Sequence, residues 1–168
     1  YESRQRIAYS PVTSKKNGLA AQALYFVPLN DTCEIQQLTL TNDTDETKQV
    51  QLFSYVEWCL WNADDDSRNF QRNLSTGEVE VEASVIYHKT EYRERRNHFA
   101  YYGVNVPADH FETSRDAFLG VYNGPDRPGA VVNGSLTDSI ASGWYPIASH
   151  QFDLTLAPGE SRTLVFVL

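Results

Sequence analysis

Methionine is missing altogether from the 168 residues, so the chain is expected to be a segment of something longer. Cysteine is nearly missing. Cys33 and Cys59 are too few for a disulfide framework, and both fall in strand-like stretches where a thiol acts as a small buried apolar group. A reduced pair belongs to a reducing compartment, and a cytoplasmic protein is expected. No apolar run approaches the roughly 18 residues that cross a bilayer, so no membrane partner is expected. Basic charge is scarce: 14 Lys and Arg stand against 22 Asp and Glu, for a net charge of -8. Binding to a phosphate backbone needs a basic face, so no nucleic-acid partner is expected either. Gly-rich phosphate loops, nucleophile elbows and dinucleotide fingerprints do not occur. Glycosylation triplets begin at Asn30, Asn42, Asn73 and Asn133, but polar turns generate such triplets by chance.

What is present is frequent punctuation. Short stretches of two-residue apolar alternation are separated by Gly, Pro, Asn and Asp clusters, the pattern of an antiparallel sandwich or barrel. The length suits one core, and residues 1–168 are expected to form a single all-β domain. GLAAQALYFVPL (18–29) and CEIQQLTLTN (33–42) form the first expected strand pair. In the second run the apolar phase slips between Ile35 and Leu38, which predicts either a bulge or a strand apolar on both faces. LTLTNDTDETKQVQLFSYVEW (38–58) is expected to fold as a hairpin turning at Asn42 to Glu46. Its second strand places Val50, Leu52, Ser54, Val56 and Trp58 on one face. EVEVE (78–82) marks a strand with one wet face, and SVIYHKTEY (84–92) and HFAYYGVNV (98–106) are strand-like. ETSRDAFLG (112–120) predicts one short helix over 113–119, with Thr113 or Ser114 as cap, Asp116 in the first turn and Gly120 as stop. The Gly-, Pro- and Asn-rich residues 122–144 read as a long ordered excursion. HQFDLTLAPGESRTLVFVL (150–168) gives two strands about Pro158-Gly159.

Three chemistries compete for EWCLWNADDDSRNFQRN (57–73). Asp64, Asp65 and Asp66 lack the alternating ligands, central glycine and distal Glu of a calcium loop. Three adjacent aspartates also do not place carboxylates on opposite sides of a scissile bond, as glycoside cleavage requires. Sugar contact fits better, because Trp58, Trp61 and Phe70 offer ring faces while Asn62, Asn69, Gln71 and Arg72 offer hydrogen bonds. The competing reading, with core tryptophans and a solvated turn, is equally compatible with the composition, and both stay open. In YHKTEYRERRNHF (87–99), Lys89, Arg93, Arg95 and Arg96 have the chemistry to hold a phosphate. Glu91 and Glu94 interleave with them, which favours a salt-bridged turn or interface network. His88, His98, His110 and His150 have no metal-ligand spacing and are expected to be structural.

The long stretch LFSYVEWCLWNADDDSRNFQRNLSTGEVEVEASVIYHKTEYRERRNHFAYY (52–102), with LYFVPL, RDAFLG, GPDRP, GWYPIASHQ and HQFDLTLAPGE in order, resembles the N-terminal domain of cellobiose phosphorylase and related inverting disaccharide phosphorylases, once grouped as glycosyltransferases. The resemblance covers nearly the whole chain. It implies a galactose-mutarotase-like super-β-sandwich within a cytoplasmic homodimer, followed by a helical linker, an (α/α)6 catalytic barrel and a small β domain. The implied reaction is phosphorolysis of a β-linked gluco-disaccharide such as cellobiose by inorganic phosphate, without a cofactor or metal. The catalytic acid and phosphate-binding groups are expected on the barrel, so no residue of this chain is expected to be catalytic, and the segment alone is predicted to be inactive and poorly soluble. The resemblance also implies that a sandwich loop walls the sugar entrance of the neighbouring subunit. The candidates are Asn62, Asn69 and Arg72, with Asp65, Asp66 and Gln71 in support. A stand-alone carbohydrate-binding module is the alternative, favoured by exposed coplanar aromatics, and a purely structural interaction domain is the third reading.

Overall fold

The computed structural model describes residues 2–3, 9–58, 77–90, 98–141 and 146–168. These fall into two compact units, each built from separate stretches of chain: Tyr1–Val50, Gly103–Val106 and Asp153–Leu168 in one, Gln51–Tyr102 and Pro107–Phe152 in the other.

The first unit is antiparallel sheet. Strands β1 (Glu2–Ser3), β2 (Tyr9–Lys16), β3 (Leu19–Phe26), β4 (Ile35–Asn42) and β12 (Ser161–Val167) lie side by side in that order. The β2–β3 turn is Asn17-Gly18, both at positive φ (51° and 74°), the two-residue loop whose twist matches the flanking strands. A side chain at Gly18 would also collide with Thr44. As expected, β3 pairs with β4, and the register of β4 is unbroken from Ile35 to Asn42 against β3. The phase slip is therefore not a bulge. Ile35 lies on one face, and Leu38 and Leu40 on the other.

The expected hairpin over 38–58 does not form. Both edges of β4 are already taken, by β3 and β12, so β5 (Lys48–Phe53) joins the other sheet, in the order β10-β11-β5. The stretch around Pro158-Gly159 likewise joins strands of different sheets rather than hairpin partners. One buried side chain holds both connections. Asn42 Nδ2 donates to the carbonyls of Glu46, Leu156 and Ala157, and its Oδ1 accepts from Thr44 N and Oγ1. Its backbone also holds the turn at both groups: Asn42 N donates to Glu160 O, and Gly159 N donates to Asn42 O. Asn42 is fully buried, which removes one of the glycosylation triplets on physical grounds.

The second unit holds β6 (Val56–Glu57), the β7 (Gly77–Glu82) and β8 (Val85–Thr90) hairpin, most of β9 (His98–Val104), β10 (His110–Ser114), the Pro146–Phe152 part of β11 (Pro146–Leu156), and two short helices, α1 (Arg115–Leu119) and α2 (Gly129–Asn133). The expected strand ending at Trp58 is interrupted at Ser54 and Tyr55. There His150 N donates to Ser54 Oγ, and Ser149 Oγ donates to Ser54 O, so a hydroxyl replaces the ladder carbonyl. The helix over 113–119 begins at Arg115, because His110–Ser114 is strand. Ser114 is its cap, accepting from Ala117 N, and Gly120 closes it at φ 84°. Helix α2 lies within the excursion over 122–144 and ends on Gly134, in the left-handed region. Phe118, Leu119, Ala130, Leu136 and Ile147 form a core with Phe53 and Tyr55 against it.

Candidate functional site

The expected site residues Asn62, Asp65, Asp66, Asn69, Gln71 and Arg72 lie outside the described residues, as do Cys59, Trp61, Phe70, Arg93, Arg95 and Arg96. What the structure does describe is the ground on which that loop starts. Glu57 accepts from the Tyr55 hydroxyl and from Arg115 Nε, 2.9 Å away. Burial, and then the Glu57 hydrogen bond, push the Tyr55 phenol well above its ordinary value. The next residue, Trp58, stacks on His88 with ring centroids 5.6 Å apart. Among the described residues neither ring nitrogen of His88 nor the indole N–H of Trp58 has a hydrogen-bond partner. Trp58 is half-buried, with its indole nitrogen covered and its ring against His88, where its strand phase predicts a core position.

Cys33 is free and half-buried. It precedes β4 instead of lying within a strand.

Two histidines are buried on the same principle. His88 and His150 are both held down to a pKa of about 4, because burial penalises the imidazolium. His150 stacks on Tyr102 with centroids 5.3 Å apart. His110 differs: it lies on the surface with Nδ1 2.8 Å from Asp138.

A second polar cluster ties β10 to the residues after α2. The Glu112 carboxylate accepts from Thr113 N, Ser114 N, Thr137 N, and the hydroxyls of Thr137 and Ser139. Thr113 Oγ1 in turn donates to Ser139 O and accepts from Ala141 N. The cluster is closed on itself around the buried Glu112 and Thr113 side chains, with Thr137 at its exposed edge, which makes it a clamp and not a site.

Among the described residues an open face with aromatic and charged side chains belongs to β7, β8 and β9. Period-two alternation sends Val79, Ile86, His88 and Tyr102 inward and leaves Glu78, Glu80, Tyr87, Phe99 and Tyr101 outside. The β7–β8 register pairs Glu78 with Lys89 and Glu80 with Tyr87. Phe99 is 67 % exposed, Tyr101 44 % and Tyr87 43 %. Lys89 Nζ lies 5.9 Å from the Phe99 centroid, and the Tyr87 and Tyr101 rings are 6.4 Å apart at 43°. A groove of about 190 Å3 runs here, lined by Glu78, Glu80, Tyr87, His88, Lys89, Phe99 and Ala100. The sequence reading assigned these strands without combining their outer faces. The signal was present in EVEVE and VIYHK, whose alternation already puts the glutamates, Tyr87 and Lys89 on common sides.

Antiparallel sheets with an aromatic, carboxylate-rimmed face define a β-domain suited to polar, ring-bearing ligands or to partner surfaces. The family model "Glycosyl hydrolase 94, supersandwich domain" matches residues 1–168, and the chain belongs to that family. It is 27 % identical over its whole length to an N,N'-diacetylchitobiose phosphorylase of Vibrio furnissii, covering 21 % of that protein. It is 28 % identical over 97 % of its length to a solabiose phosphorylase of Paenibacillus borealis, again covering 21 %. A cyclic β-(1,2)-glucan synthase of Rhizobium meliloti is 25 % identical across the whole chain, which covers 6 % of it. The chain thus spans about a fifth of the length of the two phosphorylases.

Proposed function

We propose that this chain is the N-terminal sandwich domain of a disaccharide phosphorylase, non-catalytic itself, serving homodimer assembly and the rim of the sugar site in a cytoplasmic enzyme. The observation that carries the reading is the family match over residues 1–168 together with relatives named as phosphorylases. In the parent reaction inorganic phosphate attacks the anomeric carbon of a β-linked gluco-disaccharide such as cellobiose with inversion, releasing α-glucose 1-phosphate and glucose. Phosphate is already a nucleophile, so one carboxylic acid that protonates the leaving oxygen suffices and no general base is required. The buried Glu112 is unsuited to that task, since its oxygens are occupied by protein donors.

The loop that follows Trp58 is the proposed rim, with Asn62, Asn69 and Arg72 meeting sugar and Asp65, Asp66 and Gln71 supporting them. The Glu57–Arg115 pair and the Trp58–His88 stack hold the two residues that precede it. The stand-alone module is disfavoured by the family match over residues 1–168 and by relatives that are phosphorylases many times longer than a binding module.

The test is to incubate the parent protein with phosphate and cellobiose, N,N'-diacetylchitobiose or solabiose, and to measure sugar 1-phosphate. Phosphate-dependent release from one of them is expected, and release that ignores phosphate sinks the assignment. Asn62→Ala and Asn69→Ala are expected to alter acceptor specificity or turnover in the same assay.

A further inference from the structure

We propose that the groove over β7, β8 and β9 is a glycan-binding site that takes a neutral soluble oligosaccharide. The proposal rests on the sugar-processing reading of the parent, but its ligand class follows from the groove. Pyranose rings present C–H faces that pack on aromatic rings and rims of hydroxyls that need acceptors and donors. Phe99 and Tyr87 supply exposed faces, Glu78 and Glu80 supply acceptors, and the Tyr87 hydroxyl and Lys89 ammonium supply donors, all lining one depression of about 190 Å3. That volume suits a single pyranose ring, with neighbouring units running along the open face towards Tyr101. The 43° between Tyr87 and Tyr101 suits a curved soluble chain and not a flat crystalline surface.

Two other occupants fit less well. An anionic ligand would meet Glu78, Glu80 and Glu82 on the same exposed face of β7, with repulsion from each. A dry protein partner would have to bury these glutamates and Lys89, residue types depleted from interface cores. Water-rich sugar recognition keeps the charges hydrated at the rim while the aromatic faces are covered.

The experiment uses the full-length parent protein in native gels containing soluble β-glucan, with saturating disaccharide present to occupy the reaction centre, and calorimetric titration with cellohexaose. Wild type is expected to be retarded and to bind. Phe99→Ala and Tyr87→Ala are expected to bind about tenfold more weakly, the loss of one stacked ring, with kcat and KM for disaccharide phosphorolysis unchanged. Glu80→Gln, which keeps shape and fold, is expected to weaken binding several-fold at an unchanged melting temperature. The proposal is overturned if wild type is not retarded, if all three variants are retarded like wild type, or if Phe99→Ala and Tyr87→Ala dissociate or unfold the protein, since the face is then covered by protein. Measuring sugar 1-phosphate on the same samples separates the two readings. Retardation without phosphorolysis removes the phosphorylase assignment alone, and phosphorolysis without retardation removes the glycan site alone.

Discussion

Glu112 and His88 are buried to the same degree, 0 % and 1 % exposed, and their surroundings have opposite character. The carboxylate of Glu112 is met by three backbone N–H groups and two hydroxyls. His88 has a tryptophan ring against its face and, among the described residues, no partner for either nitrogen. A polar group survives burial in two ways: it is solvated by the protein, or it stays uncharged and behaves as an aromatic plate. The first kind fastens distant segments, here residues 112–114 to 137–139. The second kind fills space and couples stability to pH.

The contrast breaks most visibly at the clamp. Glu112→Ala removes from a fully buried position the carboxylate that accepts from the N–H groups of Thr113, Ser114 and Thr137 and is expected to destabilise the protein by about 3 kcal/mol. In thermal unfolding that corresponds to a melting temperature lower by about 6–12 °C. A loss under about 1 kcal/mol would show that water replaces the carboxylate and that the cluster is no clamp.

The pH response tests the other side. His88 titrates near 4 in the folded chain against 6.5 for the ordinary group, so between those values the unfolded chain binds a proton that the folded chain refuses. Stability from this group is complete above about pH 6.5 and falls as pH drops towards 4. Between pH 7.5 and 4.5 the loss amounts to about 2.5 kcal/mol for one such histidine, with His150 adding a comparable share. His88→Phe is expected to lessen the acid-induced drop by that single share in urea titrations at both pH values. An unchanged drop would place the proton elsewhere.

The same contrast explains what was legible in the sequence. The Ser114 cap and the Gly120 stop are written in local chemistry and were read correctly, as was the β3–β4 pair, while Trp58, expected in the core, is half-buried. The hairpin over 38–58 was misread because alternation reports which residues form strands, not which edges are free. Both edges of β4 are filled by β3 and by β12, a strand 120 residues away in sequence at Thr41–Ser161. The clamp was invisible for a related reason: Glu112 was read as the approach to a helix, while its donors at 137 and 139 lie in a stretch with no periodicity. Of the candidate site, only the anchoring of Glu57 and Trp58 was within local reach, and the open face of β7, β8 and β9 required strand register to assemble.

A smaller effect sharpens the comparison within the clamp. Thr137→Val removes one hydroxyl donor from Glu112 but keeps the shape and the Thr137 N–H. The expected cost is about 1–2 kcal/mol, read as a shift of the urea midpoint at constant slope. A change in slope would mean that the segment around 137–139 opens on its own.

The smallest effect is the most discriminating. At pH 7.5 the His88 ring is neutral, and Phe in its place keeps an aromatic plate against Trp58 while removing two nitrogens that have no partner among the described residues. Replacing an unsatisfied polar group by an apolar one of similar shape is close to neutral or stabilising, so His88→Phe is expected to change stability by less than about 1 kcal/mol, and upward if it moves. The same logic applied to Glu112 gives the opposite sign, because there the substitution strands partners rather than relieving an orphan. A substantial destabilisation by His88→Phe at pH 7.5 would therefore mean that His88 is hydrogen-bonded, and the distinction between the two buried groups would collapse.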